Sequence, residues 1–174
     1  MIEEFFEHNP YDLDKTSKNA LLTKELVELT EFHKKHCAEY ASFLKTVGYD
    51  SMAVNSIEDI PFYPVRMFKE YDLLSIKRDE VFKVMTSSGT TGQRVSKIYV
   101  DKETAVIQQK VMIKILSDYW GKKRLPMLVI DTPAVLKDRK MFTARGAAIL
   151  GLQVAAKEMM YVLNDDMSLN TDIL

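Results

Sequence analysis

The sequence predicts an α/β fold in which N-terminal helices precede a mixed sheet with flanking helices. Two observations support this prediction. Apolar residues recur at helical spacing through the first third of the chain. After residue 81, segments typical of strands and of helices alternate, and such alternation favours a sheet with some parallel strand pairing. We therefore expect an N-terminal helical region at 1–56 and a partial α/β domain at 57–174.

The bulk composition is that of a soluble globular protein with no bias toward nucleic acid. Hydrophobic residues make up 47% and charged residues 28% of the chain, and the formal net charge is −1. A chain this close to neutral lacks the excess of Lys and Arg with which general nucleic-acid binders neutralise phosphates. No apolar run reaches the roughly 20 residues of a membrane span, and the acidic start at 1–7 does not resemble a signal peptide. The single cysteine, Cys37, suits a reducing, cytoplasmic location.

The first predicted helical segment carries an apolar seam whose members are spaced alternately by four and three residues. Its members are Leu22, Leu26, Leu29, His33, His36, Tyr40, Phe43 and Val47. Thr16 or Ser17 is the expected N-cap, and Gly48 stands where a left-handed residue ends a helix. The length fits one long helix or two helices with a break between them. A short helix is expected at 65–71.

Beyond residue 81 the pattern changes to strands. Residues 81–86 and 95–100 alternate in polarity and predict an antiparallel hairpin around a loop at 87–94. The remaining predicted elements are a helix that starts at Asp101 or Thr104 and ends before Gly121, a buried strand at 127–131, a helix at 139–150 and a strand at 158–163. Residues 164–170 predict a turn and caps for a helix that the 174 residues do not contain. We therefore expect a truncated chain with an exposed apolar face, which favours oligomer formation.

One short motif in the hairpin loop carries chemistry. It reads Ser87-Ser88-Gly89-Thr90-Thr91-Gly92. It is not the loop of the common NTPases, because no Gly-Lys-Ser/Thr follows at the required spacing. Its glycines permit positive φ and a close approach of backbone N–H groups to an anion, and its four hydroxyls are donors for phosphate oxygens. A polar hairpin turn is the structural alternative, but the length and order of the motif favour a polyphosphate cradle.

The motif resembles the phosphate-binding signature of the adenylate-forming superfamily of acyl-CoA synthetases, luciferases and peptide-synthetase adenylation domains. The surrounding sequence narrows the resemblance to the acyl-protein synthetase (LuxE-type) branch, with phenylacetate–CoA ligases as close relatives. The pieces that carry it are Ile60-Pro61, Phe68-Lys69, Leu73-Leu74-Ser75, Ser96-Lys97-Ile98-Tyr99 and Phe142-Thr143-Ala144-Arg145. The resemblance implies an incomplete N-terminal portion of an adenylate-forming synthetase domain.

The resemblance also implies a reaction. A fatty or aromatic carboxylic acid would be activated with ATP and Mg²⁺ as an acyl-adenylate, then moved to a protein cysteine and on to an acyl-reductase partner. The ATP phosphates would lie on residues 87–92, with Arg94 and Lys97 either as further phosphate contacts or as solvated strand residues. The resemblance assigns no catalytic residue and no metal ligand to this chain. Two alternatives remain: an aryl- or acyl-CoA ligase of the same superfamily, or a non-catalytic remnant that binds a partner.

The sequence departs from the superfamily pattern in two places. The usual Pro-Lys step after the signature is replaced by Arg94 and Val95. The later family motifs, Tyr-Gly-x-x-Glu, Gly-Arg-x-Asp and the catalytic lysine motif, do not occur in these 174 residues. Since they supply adenine, ribose and Mg²⁺ contacts and charge stabilisation, we expect residues 1–174 alone to bind ATP weakly and to release no pyrophosphate.

Three further side-chain groups have a functional and a structural interpretation. Cys37 is predicted to pack as a small buried hydrophobe rather than to accept an acyl group. His33 and His36 lie one helical turn apart, a spacing that can bind a metal, but their place on the seam favours partly buried packing. Asp131 follows a strand end, where it either contacts a ligand or caps a loop.

Overall fold

A computed structural model of the protein describes residues 3–87, 94–137 and 141–173. The chain divides into two compact units, Met1–Val81 and Phe82–Leu174. Helices dominate the first unit, and the second contains a three-stranded and a two-stranded sheet. The predicted mixed α/β class is therefore confirmed, whereas the domain boundary at residue 56 stays a prediction.

The first unit begins with three helices, α1 (Glu3–Glu7), α2 (Lys15–His36) and α3 (Ala38–Thr46). The predicted caps at Thr16 and Ser17 are wrong, because both residues instead donate their backbone N–H to Asp14 Oδ1, at 2.8 and 3.1 Å. The break between α2 and α3 falls at Cys37, whose backbone is extended, with φ −129° and ψ 109°. The predicted segment therefore consists of two helices with a break between them, and not of one long helix.

The inward side of α2 and α3 differs in part from the predicted seam. The buried side chains are Leu21, Glu25, Thr30, Cys37 and Leu44. Leu26, Leu29 and Val47 of the seam are between 37% and 48% exposed. Leu21 and Glu25 set the inward direction of α2 one position earlier than the apolar spacing indicates, so these seam leucines lie on its flank. Gly48 has φ +71°, as the predicted left-handed end requires.

The remaining helical segments described in the first unit are each about one turn long. One-turn helical segments lie at Ser51–Ala53, Ile57–Asp59 and Arg78–Glu80, and α4 spans Met67–Glu70. The short helix predicted at 65–71 is therefore confirmed. In the described part of the chain, no helix combines the length and the apolar character that crossing a membrane would need.

Two strands of the second unit form the predicted hairpin. β1 (Lys83–Thr86) and β2 (Lys97–Val100) pair antiparallel, with Lys83 opposite Val100 and Thr86 opposite Lys97. The alternation of polarity therefore gave both the pairing and its register. Ser88, Gly89, Thr90, Thr91 and Gly92 of the predicted phosphate loop lie outside the described residues.

The helix α5 (Lys102–Trp120) follows the hairpin, and its ends agree with the sequence prediction. Asp101 caps it by accepting the Thr104 N–H at 2.6 Å. Gly121 ends it with φ +81°. Both signals are local, which explains why the sequence alone sufficed to place them.

The strand β3 (Leu125–Val129) pairs in parallel with β5 (Ala156–Tyr161). This pairing confirms that the architecture includes parallel strands. The predicted buried strand at 127–131 is wrong in one respect, because Leu128 is 53% exposed and Ile130 is 83% exposed. Successive side chains of a strand point to opposite faces, and only the face that carries Met127 and Val129 is partly covered.

Residues 139 and 140 of the helix predicted at 139–150 lie outside the described residues, and the described part of that range forms a strand and a shorter helix. Residues Met141–Thr143 form β4, which pairs in parallel with β1, and α6 spans Ala144–Leu152. Residues 141–143 form a strand because they gain a ladder of backbone hydrogen bonds from β1. A contact so distant in the chain overrides local helical spacing.

Candidate functional site

Two hydrogen bonds between Ser87 and Ser96 join the chain segments on either side of the predicted phosphate loop. We call this junction the neck of the loop. Ser87 directly follows Thr86, the last residue of β1. Its backbone N–H donates to the Ser96 carbonyl at 3.2 Å, and its Oγ accepts the Ser96 N–H at 3.0 Å. These two bonds hold both ends of the loop together, so the Ser87 hydroxyl has a structural role and keeps its O–H as a donor.

The two cationic residues that are predicted to contact phosphate lie on the β2 side of this neck. Arg94 is exposed and precedes β2, and Lys97 is exposed and is the first residue of β2, opposite Thr86. Both residues interact with other groups of the protein. The fold thus keeps both cations at the loop end of the hairpin, and their contact with phosphate stays a prediction.

The carboxyl ends of two parallel strands meet beside this neck. Thr86 of β1 lies opposite Thr143 of β4, and neighbouring strands are about 4.8 Å apart. Ser87 and Ala144, the next residues, therefore start the loop and helix α6 side by side. The first N–H groups of a helix and its dipole favour anions, and in open α/β sheets ligands bind at the carboxyl ends of strands.

A buried carboxylate joins this edge to the second sheet. Asp131 follows β3 and is 6% exposed. Its Oδ2 lies 2.9 Å from Arg145 Nε in the first turn of α6, and its Oδ1 accepts the Thr132 N–H at 2.8 Å. Asp131 therefore accepts a backbone hydrogen bond at the start of the turn and makes an ion pair, whereas Thr132 caps the following one-turn helix by accepting the Ala134 N–H at 3.2 Å. A contact of Asp131 with a ligand stays a prediction.

Arg145 is the residue of this edge that sequence reasoning missed as a site candidate. It appeared only within the stretch Phe142-Thr143-Ala144-Arg145 that carries the family resemblance. Its side chain is 65% exposed although its partner is almost fully buried. An arginine two residues after a strand, at the start of a helix, was the available signal.

A second cluster of polar side chains, formed by Thr132, Lys137 and Asp165, lies at the turn after Asp131. Thr132 is 5% exposed and donates from Oγ1 to Asp165 Oδ1 at 3.4 Å. Lys137 Nζ lies 2.5 Å from Asp165 Oδ2, and this hydrogen bond lowers the pKa of Asp165. Burial and the charge of Asp131 raise the pKa of Tyr161. The Tyr161 hydroxyl is therefore protonated at neutral pH, and Asp165 is ionised.

Cys37 lies in the first unit and is 4% exposed, which confirms its predicted burial. Burial raises the pKa of its thiol, and the thiol donates weakly to Glu39 Oε2 at 3.6 Å. A buried, protonated thiol is a poor nucleophile. These properties agree with a packing role.

We expect iodoacetamide to modify Cys37 at least about tenfold more slowly in the folded protein than in the urea-unfolded protein. In the folded protein both the fraction of thiolate and the access of the reagent to the sulfur are reduced. In a protein that carries the whole family domain, the Cys37→Ala substitution should leave acyl-adenylate formation unchanged. Mass spectrometry of peptides after incubation with ATP and fatty acid provides the check. An acyl adduct on Cys37 would contradict the packing assignment.

The two histidines of the seam have different environments. His33 is half-buried, its Nδ1 lies 2.6 Å from Ser75 Oγ, and burial, followed by the charge of His36, lowers its pKa. His36 is exposed, and its Nδ1 lies 2.7 Å from the Phe32 carbonyl. The packing prediction is right for His33 and wrong for His36, which projects from the last turn of α2. Over residues 3–87, 94–137 and 141–173, no group of three His, Cys, Asp or Glu is arranged to hold a metal ion.

Comparison with known proteins places the chain in one family. The family described as "Acyl-protein synthetase, LuxE" matches residues 2–174. A long-chain-fatty-acid–luciferin-component ligase of Photorhabdus luminescens is 35% identical over 69 residues, which cover 40% of this chain and 59% of that protein. The protein of the same name from Vibrio harveyi is 36% identical over 72 residues, 41% of this chain and 19% of that protein. The chain spans less than two thirds of either relative, and it belongs to the LuxE acyl-protein synthetase family.

Proposed function

We propose that this chain supplies the phosphate-binding part of an ATP-dependent ligase that activates a long-chain fatty acid for transfer to a protein thiol. The observation that carries the proposal is the hairpin of β1 and β2. Ser87, the first residue of the motif, directly follows the carboxyl end of β1 in a chain of the LuxE family. The names of the two relatives support a long-chain fatty acid as the substrate.

The residue types of the motif and of its flanking segments suit a polyphosphate. The motif contributes four hydroxyls and two glycines, the neck carries the cations Arg94 and Lys97, and α6 begins next to Ser87. Hydroxyl and N–H donors together with cations are the groups that bind phosphate oxygens. Mg²⁺ would enter with the ATP phosphates and reduce their charge, and no side chain of this chain is assigned to it.

The proposed chemistry is a displacement at phosphorus. A carboxylate oxygen of the fatty acid attacks the α-phosphorus of ATP, the bond from that phosphorus to the bridging oxygen of the β-phosphate breaks, and pyrophosphate leaves. The loop residues stabilise the charge that develops on the leaving group, a role that needs positioned donors and no proton transfer. A protein thiolate then attacks the acyl carbon, the bond from that carbon to the phosphate oxygen breaks, and AMP leaves. As the resemblance implies, the acyl group passes from the thioester to an acyl-reductase partner.

The test is calorimetric titration of the 174-residue chain with ATP, ADP and AMP. We expect affinity to fall in that order, because the contacts are to phosphates. We expect no pyrophosphate release with a long-chain fatty acid, because the later family motifs do not occur in these residues. Equal affinity for all three nucleotides would contradict a phosphate cradle. Absence of binding would favour the non-catalytic alternative.

A further inference from the structure

The connection between α5 and β3 is a continuously exposed stretch of the second unit. Every residue of 118–126 is exposed, and the side chains of Tyr119 and Leu125 reach 72% and 42% exposure. A Cβ atom added to Gly121, in the middle of the stretch, would meet no atom within 4 Å apart from its chain neighbours. Among the described residues, this stretch is therefore a protruding turn and not the wall of a groove. We call residues 119–125 the α5–β3 turn.

The α5–β3 turn places apolar and cationic side chains in adjacent positions. Two aromatic residues end α5, three consecutive cations follow the glycine after the helix, and a leucine starts β3. These residues are Tyr119, Trp120, Lys122, Lys123, Arg124 and Leu125. None of the three cations takes part in an ion pair with another described residue. Their charge is therefore directed to solvent beside exposed apolar surface.

The start of β5 adds to the surface beside this turn. Leu125 is adjacent to the start of β5 in the parallel sheet, which brings the exposed Val154 and Lys157 to the same amino end of the strands. Two exposed carboxylates, those of Asp118 and Glu158, oppose the cations. Four cations against two carboxylates leave an excess of two positive charges here, in a chain whose formal net charge is −1. Positive charge is thus concentrated at this end of the sheet.

The surface of an anionic bilayer matches this arrangement of groups. Tyr and Trp are enriched where a membrane meets water, because each ring is apolar and carries one polar group. Adjacent Lys and Arg side chains are attracted to anionic headgroups, and binding strength grows with the apolar area that enters the interface. An acidic protein segment would attract the same cations, but a protruding turn gives it no groove in which to lie. The shape and the charge together therefore favour a bilayer.

We propose that the α5–β3 turn docks the protein on the surface of an anionic phospholipid bilayer. The rings of Tyr119 and Trp120 enter the headgroup region, and the cations at 122–124 bind lipid phosphates. The turn lies at the amino end of β3, whereas Asp131 follows the carboxyl end of this strand, so docking and the candidate functional site occupy opposite ends of β3. The inference goes beyond the proposed function and does not depend on it, because no nucleotide takes part.

The test uses the fluorescence of Trp120, which is the single tryptophan of the chain and so reports on the turn directly. The 174-residue protein is titrated with vesicles of phosphatidylcholine alone and of equal parts phosphatidylcholine and phosphatidylglycerol. With the anionic vesicles we expect emission at shorter wavelength and quenching by lipids that are brominated on the acyl chain near the headgroup. Vesicles of phosphatidylcholine alone should bind at least about tenfold more weakly, and added salt should weaken binding to the anionic vesicles.

Two variants of the turn and one matched control separate its contributions. Replacing all three cations at 122–124 with Gln should lower the vesicle partition coefficient about a hundredfold, because each cation contributes a factor of about five. Tyr119→Ala, which keeps the tryptophan probe, should weaken binding several-fold, because less apolar surface enters the interface. The control removes three exposed cations of the first unit and should bind like the unmodified protein. Its substitutions are Lys15→Gln, Lys18→Gln and Lys45→Gln.

Four outcomes would overturn the inference. If anionic vesicles leave the Trp120 emission unchanged, the turn does not meet the bilayer, even when the protein sediments with the vesicles. If the variant at 122–124 and its control lose binding equally, the attraction belongs to the whole protein. If poly-glutamate binds through 122–124 and vesicles do not, the turn is a site for an acidic protein segment. If vesicles do not bind and the substitutions at 122–124 convert an oligomer to a monomer, the turn is an interface between copies.

Discussion

Replacing Gly89 with Val and Thr90 with Ala is expected to weaken ATP binding by roughly ten- to a hundredfold. The valine side chain removes the positive-φ freedom and the close backbone approach that the glycine allows. The alanine removes a hydroxyl donor, and a hydrogen bond to a charged group contributes about 1.5–3 kcal/mol. Calorimetric titration with ATP measures the loss.

The matched control for this experiment is Thr46→Ala. It removes the hydroxyl that donates to the Ser42 carbonyl at 2.9 Å near the end of α3, in the first unit, and it should leave ATP affinity unchanged. The loop variant should unfold at nearly the same temperature as the unmodified protein, because it changes residues of a loop. Unchanged ATP affinity in the folded loop variant would exclude the motif as the phosphate site.

The Leu44→Ala variant is expected to lose about 2–5 kcal/mol of unfolding free energy. Leu44 lies in α3 and is 1% exposed, the most completely buried large side chain among residues 3–87, 94–137 and 141–173. Removing its methyl groups sacrifices their burial and leaves a cavity that the surrounding helices fill only in part. Urea unfolding followed by the helical circular dichroism signal measures the change.

The Leu29→Ala variant provides the same chemical change at a position that is 39% exposed. Less apolar surface returns to water there and no enclosed cavity forms, so the loss should stay below about 1 kcal/mol. Equal losses for the two variants would mean that Leu44 is not a core residue of the first unit. That result would also favour the predicted seam over the observed inward face.

Local signals in the sequence predicted the elements that they control directly. Asp101 and Gly121 delimit α5, Gly48 follows α3 with positive φ, and the alternation on both sides of the motif specified the hairpin register. Each of these features depends on residues within a few positions of one another. The motif and its flanking stretches also sufficed to recognise the family, which the match over 2–174 confirms.

The candidate site residues divide in the same way: some are indicated by the local sequence, and others come together only in the folded chain. The motif, Arg94 and Lys97 were identified because their residue types lie together in the chain. The pairing of Asp131 with Arg145 was not predicted, since it depends on where β3 and α6 end in space. His36 was wrongly placed in the packing seam, because helical spacing alone does not show how far a neighbouring element extends over a helix face.

The sequence by itself determined the class of fold, both ends of α5, the glycine with positive φ after α3, the hairpin and the family of this protein. Only the tertiary structure decided that 141–143 pairs with β1 as a strand, that Leu128 and Ile130 remain exposed, and that the buried Asp131 pairs with Arg145 of α6. The physical reason is the range of the interactions. Caps, turns and alternation act between near neighbours, whereas strand pairing, burial and ion pairs join residues that are distant in the chain and become neighbours only after folding.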